Sequence, residues 1–138
     1  MSRFTGPLDV SFSDARYAFL REDLVWEVGH EGSGVEIRVP AGFHSDGASV
    51  PRPLWWLMLA WGDRGTRAAI LHDWLLSLIS KEDMAAYRRA RKHADQQFLE
   101  ALIALGVSKW RSRICWAGVR AYGIYYGWIG VYLGIVLP

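Results

Sequence analysis

Two short segments of the chain carry side chains that could do chemistry. Residues 43–52 bring an acid, a glycine, a hydroxyl, a proline and an arginine into a predicted turn: Asp46, Gly47, Ser49, Pro51 and Arg52. Further along, His72 and Asp73 follow each other inside an apolar stretch, where a polar group without a partner is costly. Together with Asp95, these residues are predicted to form one polar site built from three separate elements.

One arrangement of these residues is a hydrolytic site. Asp95 would accept the imidazole N–H of His72 and fix its tautomer, while the other ring nitrogen activates a water molecule. Asp46 and Asp73 would then hold a divalent cation that polarises the scissile group. Secreted phospholipases A2 use similar chemistry, with a helix-borne His-Asp pair and a remote orienting Asp. The chain lacks their disulfides and their glycine-rich calcium loop, so the likeness is one of chemistry only.

A second arrangement is a zinc site. His44, Asp46 and His72, with Asp95 or Asp73 as a further ligand, would supply nitrogen and oxygen donors and leave one position open to water. The two arrangements together predict a divalent cation, zinc or calcium, with Asp46, Asp73 and His44 as its ligands.

A third arrangement involves no catalysis. Ser49 after the Asp46–Gly47 turn can simply cap a helix. His72 and Asp73 could brace the backbone of the loop. Arg91 or Arg52 could neutralise Asp95 in a structural ion pair.

The elements that must position these residues indicate an α+β fold. Residues 17–28 have strand composition interrupted by charges at 21–23, and residues 35–39 alternate apolar and polar side chains until Pro40. These segments predict a β-hairpin or small antiparallel sheet packed on a helical bundle. The predicted helices cover residues 54–61, residues 67–79 after a Thr66 cap, and a long stretch from a capping box at Ser80 to Leu105, closed by Gly106. Antiparallel packing of the last two would bring Asp95 to His72.

The C-terminal helix, predicted over residues 114–137, is apolar and rich in Tyr, Trp and Gly. It carries no charge from residue 121 to residue 137. Such a run is at the short end of what spans a bilayer. The helix is therefore predicted to be buried or to face another copy in a homo-oligomer, with membrane contact through residues 121–137 as the alternative.

Composition limits the remaining classes. A chain of 138 residues fits a single domain, residues 1–138, and its eight tryptophans favour packed interfaces or an envelope surface. The single Cys115 excludes an internal disulfide and a cysteine zinc site. The N-terminus lacks the apolar run of a secretory signal. Nucleic acid is not expected as a partner, because no recognition motif accompanies the basic residues 88–92.

Four motifs resemble the phage and prophage family called domain of unknown function 1353. They are residues 39–43 (VPAGF), 45–52 (SDGASVPR), 69–74 (AILHDW) and 94–98 (ADQQF), and the likeness runs from about residue 17 to residue 123. Members are small proteins encoded among the tail and lysis genes of tailed phages. The resemblance implies a role late in infection but no secure activity, and it singles out Asp46, Ser49, Pro51, Arg52, His72, Asp73 and Asp95.

The leading functional hypothesis is a virion- or lysis-associated protein with a metal-assisted hydrolytic site acting on the host envelope, either peptidoglycan or phospholipid. One alternative is a non-catalytic virion component, such as a tail or neck adaptor, that binds other phage structural proteins. The other is a membrane-anchored accessory protein. The expected location is the phage particle or the infected cell, at the inner membrane or envelope.

Overall fold

The computed structural model describes residues 2–6, 8–13, 17–30, 32–45, 63–80 and 82–133. In this part of the chain, strands come first and helices follow. The strands are β1 (Arg3–Thr5), β2 (Val10–Ser13), β3 (Tyr17–Leu20), β4 (Leu24–Glu27), β5 (Glu36–Val39) and β6 (His44–Ser45). The helices are α1 (Asp63–Ser77), α2 (Met84–Ala104) and α3 (Lys109–Leu133). The predicted α+β class is confirmed.

The strands form two antiparallel sheets of three strands each, ordered β1-β4-β5 and β2-β3-β6. The predicted hairpin is present as β4 and β5, in which Leu24 lies opposite Val39. The charged residues 21–23 separate β3 from β4, as their composition indicated. Strands β1, β2 and β6 were not predicted from the sequence.

Trp26 joins the β1-β4-β5 sheet to α2. Its side chain is fully buried, and its indole N–H donates to the Oε1 atom of Gln97 at 2.8 Å. The ring of Phe4 on β1 lies 4.6 Å from the Trp26 ring, measured between centroids. A buried tryptophan needs a partner for its N–H group, and Gln97 provides one from the helix.

Helix α2 is the predicted long helix, but it begins later than expected. Tyr87, Ala94, Phe98 and Leu102 are buried on its inner side. The predicted capping box at Ser80 is wrong, because the helix begins at Met84 and Asp83 is its cap. The Asp83 carboxylate accepts from the backbone N–H groups of two residues in the first turn, Ala85 and Ala86.

The predicted end of α2 at Gly106 is confirmed. Gly106 has a positive φ of 87°, which glycine adopts without steric cost. Its N–H donates to the carbonyl of Ile103, and the N–H of Val107 donates to the carbonyl of Leu102. These two bonds form the Schellman arrangement that satisfies the last carbonyls of a helix.

The other two helices differ from prediction at their ends. Helix α1 runs over Asp63–Ser77 rather than residues 67–79, and it includes Gly65, which is buried. Packing of this turn therefore outweighs the poor helix propensity of glycine. Helix α3 begins at Lys109, before the predicted start at residue 114. The helix predicted over residues 54–61 lies outside the described residues.

The helices pack on one another and on the strands. Helix α2 packs against both α1 and α3, while α1 also contacts β5 and β6. The core contains side chains from the strands and all three helices, among them Leu24, Leu71, Phe98 and Val119. Within the described part of the chain, no helix combines the length and the apolarity needed to span a bilayer.

Candidate functional site

His72 on α1 and Asp95 on α2 meet where these helices pack together. The Nε2 atom of His72 lies 2.6 Å from the Oδ1 atom of Asp95, and both side chains are 0% exposed. Because a carboxylate only accepts hydrogen bonds, this contact selects the tautomer with the proton on Nε2. The predicted approach of Asp95 to His72 is confirmed.

Two arginines share the same carboxylate. The Nη1 atom of Arg120, on α3, donates to Oδ2 of Asp95 at 2.9 Å. The Nε atom of Arg91, one turn before Asp95 on α2, lies 3.6 Å from its Oδ1. The predicted ion pair between Arg91 and Asp95 is therefore present. We call His72, Arg91, Asp95 and Arg120 the Asp95 cluster, and it joins all three described helices.

Helix α3 comes close to the cluster at Gly123. A Cβ atom added to this glycine would lie 2.8 Å from Nε of Arg91 and 3.0 Å from its Cζ. Among the described residues, Nε and Nη2 of Arg91 are buried without a hydrogen-bond acceptor. The Arg91 charge is thus balanced by the nearby Asp95 carboxylate, and the missing side chain at position 123 provides space for the guanidinium.

Asp73 belongs to a different contact from its neighbour His72. Its Oδ2 atom accepts a hydrogen bond from the hydroxyl of Ser45, which is buried on β6. The Asp73 residue itself is only partly buried. This bond connects the β2-β3-β6 sheet to α1, whereas His72 connects α1 to α2.

His44 lies on the other side of β6 from Asp73. Successive side chains of a strand point to opposite faces, so His44 projects away from the face that Ser45 shares with Asp73. His44 is exposed, and its ring packs edge-on against Phe19 at a centroid distance of 4.7 Å. A direct role for His44 beside Asp73 therefore has no support from the geometry of β6.

The predicted cation site depends on Asp46, which lies outside the described residues, as do Gly47, Ser49, Pro51 and Arg52. Among the residues that are described, no three His, Cys, Asp or Glu side chains are grouped closely enough to hold a metal ion. The metal-binding roles of Asp46, Asp73 and His44 therefore stay predictions.

Arg120, Gln97 and Ser45 make key polar contacts that the sequence analysis did not assign. A signal for Arg120 was present, because it is the only charged residue after Arg113. A single charge in a long run of uncharged residues indicates a partner in the interior. No comparable signal points to Gln97 or Ser45, since their partners lie on elements distant in sequence.

The comparisons with known proteins agree with the motifs. A family model described as "Protein of unknown function (DUF1353)" matches residues 20–119, which include every member of the Asp95 cluster except Arg120. Neither the curated proteins nor the solved structures gave a match. Since the family model covers well over half of the chain, the protein belongs to the domain of unknown function 1353 family.

Proposed function

We propose that this protein is a non-catalytic component of a phage particle, such as a tail or neck adaptor, in which the Asp95 cluster is structural. One observation carries the proposal: His72 and Asp95 are both 0% exposed, and both Asp95 oxygens are already bonded to groups of the protein. A general base has to come within hydrogen-bond reach of a substrate or water. The phage context comes from the sequence resemblance.

The chemistry of the cluster supports a structural role. A buried carboxylate needs compensation, and here its partners come from three different helices. Removing one partner of a buried ion pair costs on the order of 3–5 kcal/mol, because the remaining charge stays buried. The cluster therefore favours the arrangement in which α1, α2 and α3 all contact the same residue.

A metal-assisted hydrolase acting on the host envelope is the second candidate. The 2.6 Å contact between Nε2 of His72 and Asp95 favours it, because a carboxylate in that position orients a catalytic imidazole. The next residue, Asp73, is only partly buried. In this candidate, Asp73 and Asp46 would bind calcium or zinc, and the cation would polarise a bond in phospholipid or peptidoglycan.

An activity and stability experiment separates the two candidates. The purified chain is assayed on phospholipid vesicles and on peptidoglycan, with calcium, with zinc and with a chelator. The structural proposal expects no turnover in any condition, and a loss of roughly 3–5 kcal/mol of unfolding free energy in Asp95→Asn. Glu82→Gln, the same chemical change at an exposed acid, serves as the control and should unfold like the native chain.

The opposite result would support the hydrolase. Cation-dependent turnover that disappears in His72→Gln, while that variant keeps the native fold by circular dichroism, would overturn the structural proposal. The phage context is tested separately, by mass spectrometry of purified particles. A component of the particle should be present in a fixed ratio to other structural proteins, and its absence would exclude the adaptor.

A further inference from the structure

Helix α3 has an apolar stripe on the side that faces away from the core. Its buried side carries Ser112, Cys115 and Val119. The opposite side presents what we call the outer stripe: Trp110, Ile114, Ala117, Ala121 and Ile124. Trp110 is 61% exposed, Ile114 48% and Ile124 51%. Large apolar side chains repeated along one exposed helix face indicate an interaction surface.

The spacing of the outer stripe is that of residues along the contact line between two packed helices. Its residues are separated by four, three, four and three positions, the alternation that keeps one face of a helix against a partner helix. From Ile114 to Ile124 the residue types of the stripe read Ile, Ala, Ala, Ile, which is the same from either end.

Because the order of residue types from Ile114 to Ile124 is the same from both ends, this part of the outer stripe matches its counterpart in an antiparallel pair of α3 helices. Reversing one helix about a point midway between Ala117 and Ala121 places these two alanines opposite each other, and places Ile114 opposite Ile124. The small residues then meet at the centre, where backbones can approach closely, and the larger ones meet on either side. A two-fold axis between two copies produces this pairing.

Charge selects the antiparallel direction. Lys109, Arg111 and Arg113 all lie near the start of α3, and the helix contains no acidic residue. A parallel pair would put these basic groups side by side, together with the positive ends of both helix dipoles. An antiparallel pair places the basic half of each helix beside the uncharged half of the other.

We propose that two copies of this chain associate through the outer stripe, with their α3 helices antiparallel. Ala117 lies against Ala121 of the second copy, and Ile114 against Ile124 of the second copy. This inference is independent of the proposed function, because the outer stripe contains no member of the Asp95 cluster.

Sedimentation equilibrium of the full chain over a wide concentration range tests the association. The average mass should rise from 15.7 kDa towards twice that value, and Ile114→Glu should weaken the association at least about tenfold, because it places a charge between the two helices. Val35→Glu is the matched control, since Val35 is 58% exposed outside α3. A chain that stays monomeric throughout, or an equal effect of both variants, would overturn the proposal.

Disulfide trapping tests the direction. Ile114→Cys and Ile124→Cys proteins are mixed under mild oxidation, and the two different variants should become linked to each other. Each variant alone should stay unlinked, because identical positions are offset by ten residues, or about 15 Å along the helices. Efficient linkage of either variant to itself would indicate a parallel pair and contradict the proposal. The native chain, whose Cys115 is buried, is the control.

A lipid surface is the competing occupant of the outer stripe. Flotation of the native chain with neutral phosphatidylcholine vesicles tests it. The proposal expects the chain to remain unbound. Binding that Ile114→Glu abolishes, in a chain that shows no self-association, would assign the stripe to lipid instead.

Discussion

At Asp95, one carboxylate is shared by an imidazole and two guanidinium groups, and the partners differ in how far they are withdrawn from water. The Arg120 side chain is 22% exposed, whereas that of Arg91 is 10% exposed. If the Asp95 charge were removed, water could therefore solvate part of the Arg120 guanidinium but little of the Arg91 guanidinium. The carboxylate itself has no such replacement, because it is completely buried.

We therefore expect Arg120→Met to destabilise the fold less than Asp95→Asn does. The substitution keeps an apolar side chain of similar length and removes one charged hydrogen bond, worth about 1.5–3 kcal/mol. Urea unfolding of both variants measures the difference. Equal losses in the two variants would mean that Arg120, rather than the carboxylate, is the main stabilising member of the cluster.

Asp23 illustrates a carboxylate whose environment changes its pKa at the surface. The N–H of Ala41 donates to its Oδ1 at 2.8 Å, and Arg38 donates to its Oδ2 at 3.2 Å. The Ala41 hydrogen bond and then the Arg38 contact lower the pKa of Asp23 below its usual 3.8. Both bonds favour the charged form, so they stabilise the folded hairpin only while the carboxylate is ionised.

The stabilisation by Asp23 should therefore depend on pH. A lowered pKa in the folded state contributes stability above pH 3.8, and this contribution is lost as the pH falls through the lower, folded value. Native and Asp23→Asn proteins should differ in unfolding free energy at neutral pH and converge in acid. An NMR titration gives the pKa directly, and Arg38→Gln should raise it only part of the way because the Ala41 bond remains. A pKa at or above 3.8 in the native chain would contradict the prediction.

Among the helices, the close contact at Gly123 sets the distance between α2 and α3. Alanine is the better helix former by about 1 kcal/mol, so Gly123→Ala would stabilise an isolated helix. In the folded protein its Cβ would lie 2.8 Å from the Arg91 Nε atom. Overfilling a packed site costs about 1–3 kcal/mol, and the Arg91 side chain is held by its contact with Asp95.

We expect Gly123→Ala to be destabilising overall, as measured by thermal or urea unfolding. The matched background is Arg91→Met, which removes the guanidinium that the new methyl group would meet. In that background the alanine substitution should become neutral or favourable. A favourable effect of Gly123→Ala in the native chain would show that the Arg91 guanidinium moves aside without cost.

A helix or strand could be predicted from the sequence where residues close in sequence determine it, and not where distant residues do. The long helix α2 has a local cause, because its buried side carries Tyr87, Ala94 and Phe98 at helical spacing, and its end at Gly106 was predicted. The start of α2 was predicted wrongly, because Ser80 and Asp83 are both good capping residues. Only the observed backbone shows that Asp83 is the cap. Strand β6 has two residues, and its pairing with β3 depends on tertiary contacts rather than on its own composition.

For the whole molecule, the contact between α1 and α2 at the candidate site could be predicted from the sequence. The contacts that α3 and β6 make there could not. His72 lies inside an apolar stretch and Asp95 lies on the following helix, so antiparallel packing of the two helices predicted their contact. The sequence of α3 is apolar around most of the helix, so it does not indicate which face packs against α2. The face that packs there is the one that brings Arg120 to the Asp95 cluster. The bond between Ser45 and Asp73 similarly requires knowing where β6 crosses α1.

Cys115 provides a probe of how the whole molecule opens. It is fully buried in the core, and burial raises the pKa of its thiol from 9.0 to about 11. Because the thiolate is the reactive form, the native chain should react very slowly with iodoacetamide at pH 8. The neutral thiol in the folded state contributes stability below pH 9.0, and this contribution is lost as the pH rises towards about 11.

If the core opens only by global unfolding, the alkylation rate should follow the unfolding equilibrium. The logarithm of the rate should then increase with urea concentration with the same slope as the unfolding free energy, provided that the chain closes faster than it is alkylated. Asp95→Asn should accelerate the reaction by the factor that corresponds to its loss of stability, since Cys115 lies on the same helix as Arg120. A rate that is independent of urea would instead mean that α3 separates locally from the core, and that the Asp95 cluster does not hold the three helices together.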